Sequence, residues 1–162
     1  MTTTTRPAVE HLRPPRSPRA VGRVVCRVLA SPRWGARLGR SLLVLHVVGR
    51  ASGVPFSFPV AYRRTGDGRL LVQTSSRWRA NLRGGADVEV TLLGRRRTAR
   101  AEVVEDPDRV ASAYRRMIQA VGVAQAPRRF GLRVRVDRMP THDELADVVR
   151  RDDLALVYLD VR

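Results

Sequence analysis

The sequence predicts a mainly β domain with flanking helices (α+β), in which about six antiparallel strands form a small barrel. Three observations predict this class. Several runs alternate apolar with small or polar residues at the period of two that a half-buried strand requires. The turn signal TGDG at 65–68 and a turn at Gly94 join neighbouring runs into hairpins. Segments with helical periodicity are few, and the connections between runs are short.

The predicted elements follow from local pattern. The predicted strands are 41–48, 56–62, 69–74, 88–93, 98–104 and 154–161. A serine pair and a double glycine bound a short helix within 75–85. Asp106 and Pro107 begin a longer helix, and Thr141 with Glu144 forms a capping box that begins another.

Domain organisation is predicted from composition. Residues 1–18 are rich in proline, threonine and arginine, so we expect a disordered basic tail. Residues 19–162 are the length of one domain, which we expect to be a single barrel. It begins with a basic amphipathic helix at 19–30, whose apolar face either packs on the barrel or contacts a membrane surface.

Cysteine and histidine usage limits the chemistry. Cys26 is the single cysteine, so an internal disulfide is excluded. The histidines His11, His46 and His142 lack the spacing of metal ligands, so no metal site is predicted. The longest apolar run, 42–48, is too short to cross a bilayer, and no secretory signal is recognised. We expect a cytoplasmic protein that is soluble or peripheral at the membrane.

The charge predicts an anionic partner. The formal net charge is +16, and all 31 basic residues are arginine. Part of this excess is explained equally well by the codon bias of a GC-rich genome. The arginines are spread along the chain, and the aromatic residues number only two tryptophans, three tyrosines and three phenylalanines. Both facts disfavour a dedicated nucleic-acid binder, so no nucleic-acid partner is expected.

The segment GRASG at 49–53 is the first candidate site. It is not a nucleophile elbow, because Ser52 directly precedes Gly53, and it lacks the lysine and glycine spacing of a P-loop. Glycines beside Arg50 would let backbone amides and a guanidinium approach an anion. The other interpretation is an ordinary hairpin turn.

The order of several motifs along the chain indicates a family. GRASG, FSFPVAY, TSS, WRANLRGG and DVEVTLLGRRRTARAEVV follow one another, and this order resembles the deazaflavin-dependent nitroreductase family of split β-barrel flavin and deazaflavin oxidoreductases. The resemblance runs from about residue 42 to 122 and resumes at the last strand. It implies an FMN-binding-like split β-barrel with coenzyme F-420 as the cofactor, and FMN as the alternative.

The resemblance also implies site residues. Arg50 would hold the phosphate or acidic tail of the cofactor, and the backbone around Pro59 would meet the ring edge, since proline offers no amide to a neighbouring strand. Trp78 would form part of the wall, or would anchor the short helix in the core. The implied cofactor-binding residues are Arg50, Ser52, Phe58, Pro59, Val60, Ser75, Ser76, Trp78 and Asn81.

The expected activity is hydride transfer from the reduced deazaflavin to an electron-poor small molecule such as a quinone, an enone or a nitroaromatic. No side-chain nucleophile is required. Tyr62 and Tyr114 are candidate proton donors, with water as the alternative. A noncatalytic flavin, deazaflavin or haem carrier is the first alternative function, and a nucleic-acid-binding barrel is the weaker one. The sequence leaves open whether the chain is a monomer or a homodimer.

Overall fold

The computed structural model describes residues 6–13 and 19–162, without the side chains of residues 19, 20, 36 and 38. Contacts within the chain group the described residues into two compact units. The helical unit comprises 6–13 and 104–155, and the barrel unit comprises 19–103 and 156–162. The sequence predicts one domain over 19–162, because it carries no composition break where the chain leaves the barrel unit at Val103 and returns at Leu156.

The secondary structure of the described residues is as follows. The strands are β1 (Val9–His11), β2 (Leu42–Val48), β3 (Pro55–Ala61), β4 (Arg63–Arg64), β5 (Leu70–Thr74), β6 (Ala86–Leu92), β7 (Arg95–Val104), β8 (Leu132–Val134) and β9 (Ala155–Val161). The α-helices are α1 (Arg19–Ala30), α2 (Pro32–Leu38), α3 (Pro107–Val121), α4 (Ala126–Phe130) and α5 (His142–Asp152). Short 3-10 helices span Arg77–Leu82 and Val123–Gln125.

Seven strands of the barrel unit form one mainly antiparallel sheet among the described residues, in the order β3, β2, β6, β7, β9, β5, β4. The two edge strands, β3 and β4, are separated in the chain by Tyr62 alone, so the sheet must curl until its edges approach and form a half-barrel. Its inner face carries a buried apolar core, which includes Leu43, Leu45, Val47, Leu70, Val72, Leu82, Val90, Leu92, Ala99, Ala101, Val157 and Leu159. The predicted mainly β class with flanking helices is confirmed.

All six predicted strands are present, and their predicted ends differ from the observed ones by at most three residues. Asp106 caps α3 through a 2.8 Å bond that its carboxylate accepts from the backbone N–H of Arg109. Thr141 and Glu144 form the capping box of α5. The short helix expected within 75–85 is the 3-10 helix at 77–82. The elements β1, β4, β8, α2 and α4 were not predicted, because each is short and lacks a periodic pattern.

Pro59 lies in the edge strand β3, paired in register with Val44 of β2. An edge strand has a neighbour on one side only, so a proline is accepted there when its missing N–H faces away from that neighbour. The position of Pro59 is thereby explained by the fold itself.

The prediction of a disordered tail over 1–18 is wrong for residues 9–11. β1 pairs antiparallel with β8, and Val9 is buried at 1% exposure. The carbonyl of Val9 accepts a 2.8 Å bond from Arg151, and Arg13 bonds Asp152 at 2.8 Å. These partners are more than a hundred residues away in sequence, so no local pattern marks the strand. Residues 1–5 and 14–18 lie outside the described residues.

Helix α1 contacts β2 and β3. Leu29 is buried, whereas Val21 and Val24 are 47% and 63% exposed. In α2, Trp34 is 59% exposed. The apolar stripe of α1 is therefore buried at Leu29, half-buried at Val25 and Val28, and exposed at Val21 and Val24.

We expect Val9→Ala to destabilise the protein by about 2 kcal/mol, because a buried side chain in the β1–β8 pair is truncated. Chemical denaturation measures the change. Arg6→Ala is the control, since Arg6 is exposed and lies outside the strand. Equal stabilities of the Val9 and Arg6 variants would show that β1 contributes nothing to the fold.

Candidate functional site

The GRASG turn joins β2 to β3, and two of its features require glycine. Gly53 has a φ of +66°, in the left-handed region. A Cβ on Gly49 would come within 2.3 Å of the Ser52 hydroxyl oxygen. That hydroxyl accepts a 3.3 Å bond from the N–H of Val54, so the structure places Ser52 inside the turn as a stabilising residue.

Asn81 joins this turn to the 3-10 helix. Its side-chain oxygen accepts a 2.8 Å bond from the backbone N–H of Arg50. Its side-chain amide donates a 2.9 Å bond to the carbonyl of Trp78. Both hydrogen-bonding ends of one side chain are used, so the position of Arg50 is fixed relative to Trp78.

Two phenylalanine rings pack beside Trp78. The ring of Phe58 lies 5.1 Å from that of Trp78, tilted by 52°, and stacks on Phe56 at 5.6 Å. Phe58, Val60 and Trp78 are half-buried against the barrel core. Both interpretations of Trp78 are compatible with this position, because the side chain packs on the core and remains partly accessible.

The surface around the turn is apolar and carries an unpaired charge. Val48 and Val54 are 61% and 59% exposed, and Phe56 is 38% exposed. Among the described residues, the exposed guanidinium of Arg50 has no carboxylate or hydrogen-bonding partner. Exposed apolar groups gathered around a free cation are typical of a ligand site.

Ser75 and Ser76 precede the 3-10 helix, and both are exposed. Their hydroxyls have no partner among the described residues, and neither has the guanidinium of Arg77. The carbonyl of Ser76 accepts a 3.0 Å bond from Arg79, which is only 5% exposed. Sequence reasoning missed Arg79, since nothing in an arginine-rich chain marks one arginine as buried.

His46 is a second residue that the sequence analysis did not place in the site. Its Nδ1 lies 2.7 Å from the Ser57 hydroxyl and its Nε2 lies 2.8 Å from the Thr91 hydroxyl. Burial, with a contribution from Arg96, lowers the pKa of His46. The signal was present, because His46 is the only polar residue in the run LLVLHVV.

A groove of about 560 Å³ lies beside the turn. It is lined by His46, Val47, Val48, Pro55, Phe56, Asn81, Leu82, Ala86, Asp87, Val88, Glu89 and Arg96. The groove thus joins Asn81, the exposed aromatic edge of Phe56 and the His46 hydrogen-bond chain in one concave surface.

The two candidate proton donors are both buried. The hydroxyl of Tyr62 donates a 2.5 Å bond to the carbonyl of Gly39, and burial raises its pKa. Tyr114 belongs to the helical unit and is 2% exposed, and burial raises its pKa strongly. The described contacts bring neither hydroxyl together with the turn, the 3-10 helix or the aromatic rings.

Two further findings concern the described residues only. No group of three or more His, Cys, Asp or Glu side chains is placed to hold a metal ion. None of the described helices has the length and apolar character needed to cross a membrane.

Comparison with known proteins identifies the family. Residues 23–138 match the family model of F420H(2)-dependent quinone reductase, and this match covers more than half of the chain. The chain belongs to this family. The resemblance to deazaflavin-dependent oxidoreductases that the motifs indicated is thereby confirmed. No curated protein matches the sequence significantly.

Solved structures give weaker similarities. A protein of unknown function from Agrobacterium tumefaciens is 21% identical over 92% of this chain and 59% of its own, with a TM-score of 0.46. The FAD and heme binding protein from Mycobacterium smegmatis is 21% identical over 80% and 65%, with a TM-score of 0.44. An F420 reductase is 14% identical over 84% and 91%, with a TM-score of 0.38. The chain spans less than two thirds of the first two, and these values are too low to indicate a function.

We expect Asn81→Ala to lower the free energy of unfolding by about 1–2 kcal/mol, because two hydrogen bonds between the turn and the 3-10 helix are lost. Urea denaturation measures the effect. The control is Gln119→Ala on the exposed face of α3, where a change within about 0.5 kcal/mol is expected. An Asn81 variant as stable as the control would show that this link is energetically unimportant.

We expect stability to fall as the pH is lowered through the ordinary histidine pKa of 6.5, because the folded pKa of His46 lies below that value. The unfolded chain then takes up a proton that the folded protein resists, until the pH reaches the folded pKa. Burial lowers the pKa of His11 as well, so both histidines contribute to this window. The variant His46→Asn should show a shallower decline in denaturant titrations at each pH. An unchanged decline would exclude His46 as a contributor.

Proposed function

We propose that the protein binds reduced coenzyme F-420 at the GRASG turn and the 3-10 helix, and transfers its reducing equivalents to a quinone or a similarly electron-poor small molecule. The single observation that carries the proposal is the free guanidinium of Arg50 inside an exposed apolar and aromatic surface. Membership of the F420H(2)-dependent quinone reductase family supports the choice of cofactor and acceptor.

The residues present fit an anionic cofactor with a flat ring. Arg50 offers paired N–H donors to a phosphodiester or carboxylate. Ser75 and Ser76 offer free hydroxyls, and Phe58 and Trp78 offer a partly accessible aromatic wall. The backbone of Phe58, Pro59 and Val60 lies in the edge strand, where groups that face away from β2 remain available.

The cofactor supplies a hydride when bound, and a quinone that accepts it also takes up one proton. The chain itself binds and orients. Asn81 fixes the backbone of Arg50, so the base of the side chain that would bind the anion is already in place. Val48, Val54 and Phe56 offer exposed apolar surface from which a bound ligand would displace water. The Tyr62 hydroxyl is committed to Gly39, so water is our choice of proton source.

Partners other than the electron acceptor, and the location of the protein, stay predictions. A weak association of α1 with an anionic membrane surface stays a prediction, supported by exposed Val21, Val24 and Trp34 beside Arg23 and Arg27. A homodimer, a cytoplasmic location and the absence of a nucleic-acid partner also stay predictions.

Cofactor titration and turnover test the proposed function separately. We expect the deazaflavin to bind more tightly than FMN at moderate salt, because it carries more negative charge. Equal or tighter FMN binding would overturn the choice of cofactor. Oxidation of the bound reduced deazaflavin by a water-soluble benzoquinone would support an enzyme. Tight binding without turnover would favour the noncatalytic carrier instead.

We expect Arg50→Ala to weaken deazaflavin binding by about 1.5–3 kcal/mol, a ten- to hundredfold loss, with little effect on folding. The variant's affinity should also depend less on salt, since one screened charge pair is removed. Arg116→Ala is the matched control, because it removes one exposed arginine from α3. Calorimetric titration measures both. If the two variants bind equally, Arg50 has no specific role and the turn is only a connection.

A further inference from the structure

A second arginine cluster lies in the barrel unit, at the opposite end of β2 from the GRASG turn. Arg64, Arg95 and Arg97 line a cavity of about 380 Å³ together with Gly68, Leu70, Leu92, Leu93 and Val161. The turn follows the end of β2, whereas Leu92 lies near its start, since Val44 pairs with Thr91. The seven residues of β2 separate the two ends by about 20 Å.

The three arginines occupy positions on the inner face of the barrel. In register, Arg64 stands opposite Leu70, Arg95 opposite Leu92 and Arg97 opposite Val90. Directly opposed residues share a face of the sheet. Leu70, Leu92 and Val90 all belong to the buried core. At this end of the barrel, the inner face therefore carries three arginines in place of apolar core residues.

Carboxylates do not balance this cluster. Elsewhere in the sheet, Arg69 pairs with Asp67 and Glu102, Arg96 with Glu89, and Arg100 with Asp87. In the described part of the chain, Arg64, Arg95 and Arg97 have no carboxylate partner. Three cations converge on one cavity, so an anion there would gain several charge-assisted hydrogen bonds.

The floor and rim of the cavity are apolar. Leu70 and Leu92 are buried, and Leu93 at the rim is 38% exposed. Leu93 has a φ of +51°, and Gly94 follows with a φ of +77°. This hairpin turn favours Asn-Gly, and a leucine at its first position is costly. A strained, exposed leucine beside three arginines adds an apolar contact that the turn itself does not need.

We propose that this end of the barrel, which we call the arginine mouth (Arg64, Arg95, Arg97 and Leu93), binds a small organic anion: a phosphate or carboxylate group that carries a short apolar chain. The anion bonds the arginines, and the chain lies against Leu70, Leu92 and Leu93. Mouths of β-barrels are frequent ligand sites, and the volume is suited to a small molecule. This site is separate from the proposed cofactor site.

The test is a titration of the full chain with hexyl phosphate, followed by amide NMR shifts. We expect the largest shifts at Gly68, Leu93 and Gly94, and weaker binding of inorganic phosphate. The double variant Arg95→Ala/Arg97→Ala should lose about tenfold or more in affinity. The double variant Arg115→Ala/Arg116→Ala, which removes two exposed arginines from α3, should bind as the wild type does. Equal losses of affinity in the two double variants would show that binding depends only on the net charge of the protein, and would overturn the proposal.

Two further variants keep the proposal falsifiable if the first folds poorly. Leu93→Asn suits the turn, so we expect it to fold and to narrow the preference for hexyl phosphate over inorganic phosphate. An unchanged preference would overturn the apolar contact. Arg50→Ala should bind hexyl phosphate as tightly as the wild type does. If Arg50→Ala loses this binding, the ligand binds at the GRASG turn and the proposal is wrong. Failure at the arginine mouth leaves deazaflavin binding by the wild type untouched, so the two proposals fail independently.

Discussion

The single residue between β3 and β4 is the constraint on which the barrel unit depends. Tyr62 follows one edge strand of the sheet and precedes the other, so both edges must come within one residue of each other. Its backbone N–H donates a hydrogen bond to the carbonyl of Ser41, and its hydroxyl donates one to the carbonyl of Gly39. With the ring buried and both polar groups satisfied, the curled sheet is fixed at the beginning of β2.

The curled sheet has two ends of different chemistry. At one end, Asn81 fixes Arg50 beside exposed valines and phenylalanine. At the other end, Arg64, Arg95 and Arg97 replace the inward-facing apolar residues of the sheet. The arginines on the outer face, in contrast, are largely matched by carboxylates, as Arg96 is by Glu89. Positive charge is therefore distributed unevenly over the sheet, and Arg50, Arg64, Arg95 and Arg97 lie beside apolar or concave surface.

The sequence predicted the six longer strands because each has a two-residue period or a strong turn beside it. It also predicted the caps of α3 and α5, since Asp106, Thr141 and Glu144 act on amides only three residues away. β1 escaped prediction because its stability comes from β8 and Arg151, which are distant in sequence. For the site, motif order suggested Arg50, Trp78 and Asn81 together, and the structure links these three by direct hydrogen bonds.

Alternation along a strand explains why the arginine mouth could not be found from the sequence. GRRRTARAEVV contains four arginines within eleven residues, and composition treats them alike. Only the register shows that Arg95 and Arg97 share the inner face with Ala99 and Ala101, whereas Arg96 faces outward to Glu89. A shift of one residue would exchange the two faces and turn Arg100, which lies between the buried Ala99 and Ala101, into the core. The same arginine-rich strand thus supports a solvated surface on one side and a cation-lined cavity on the other.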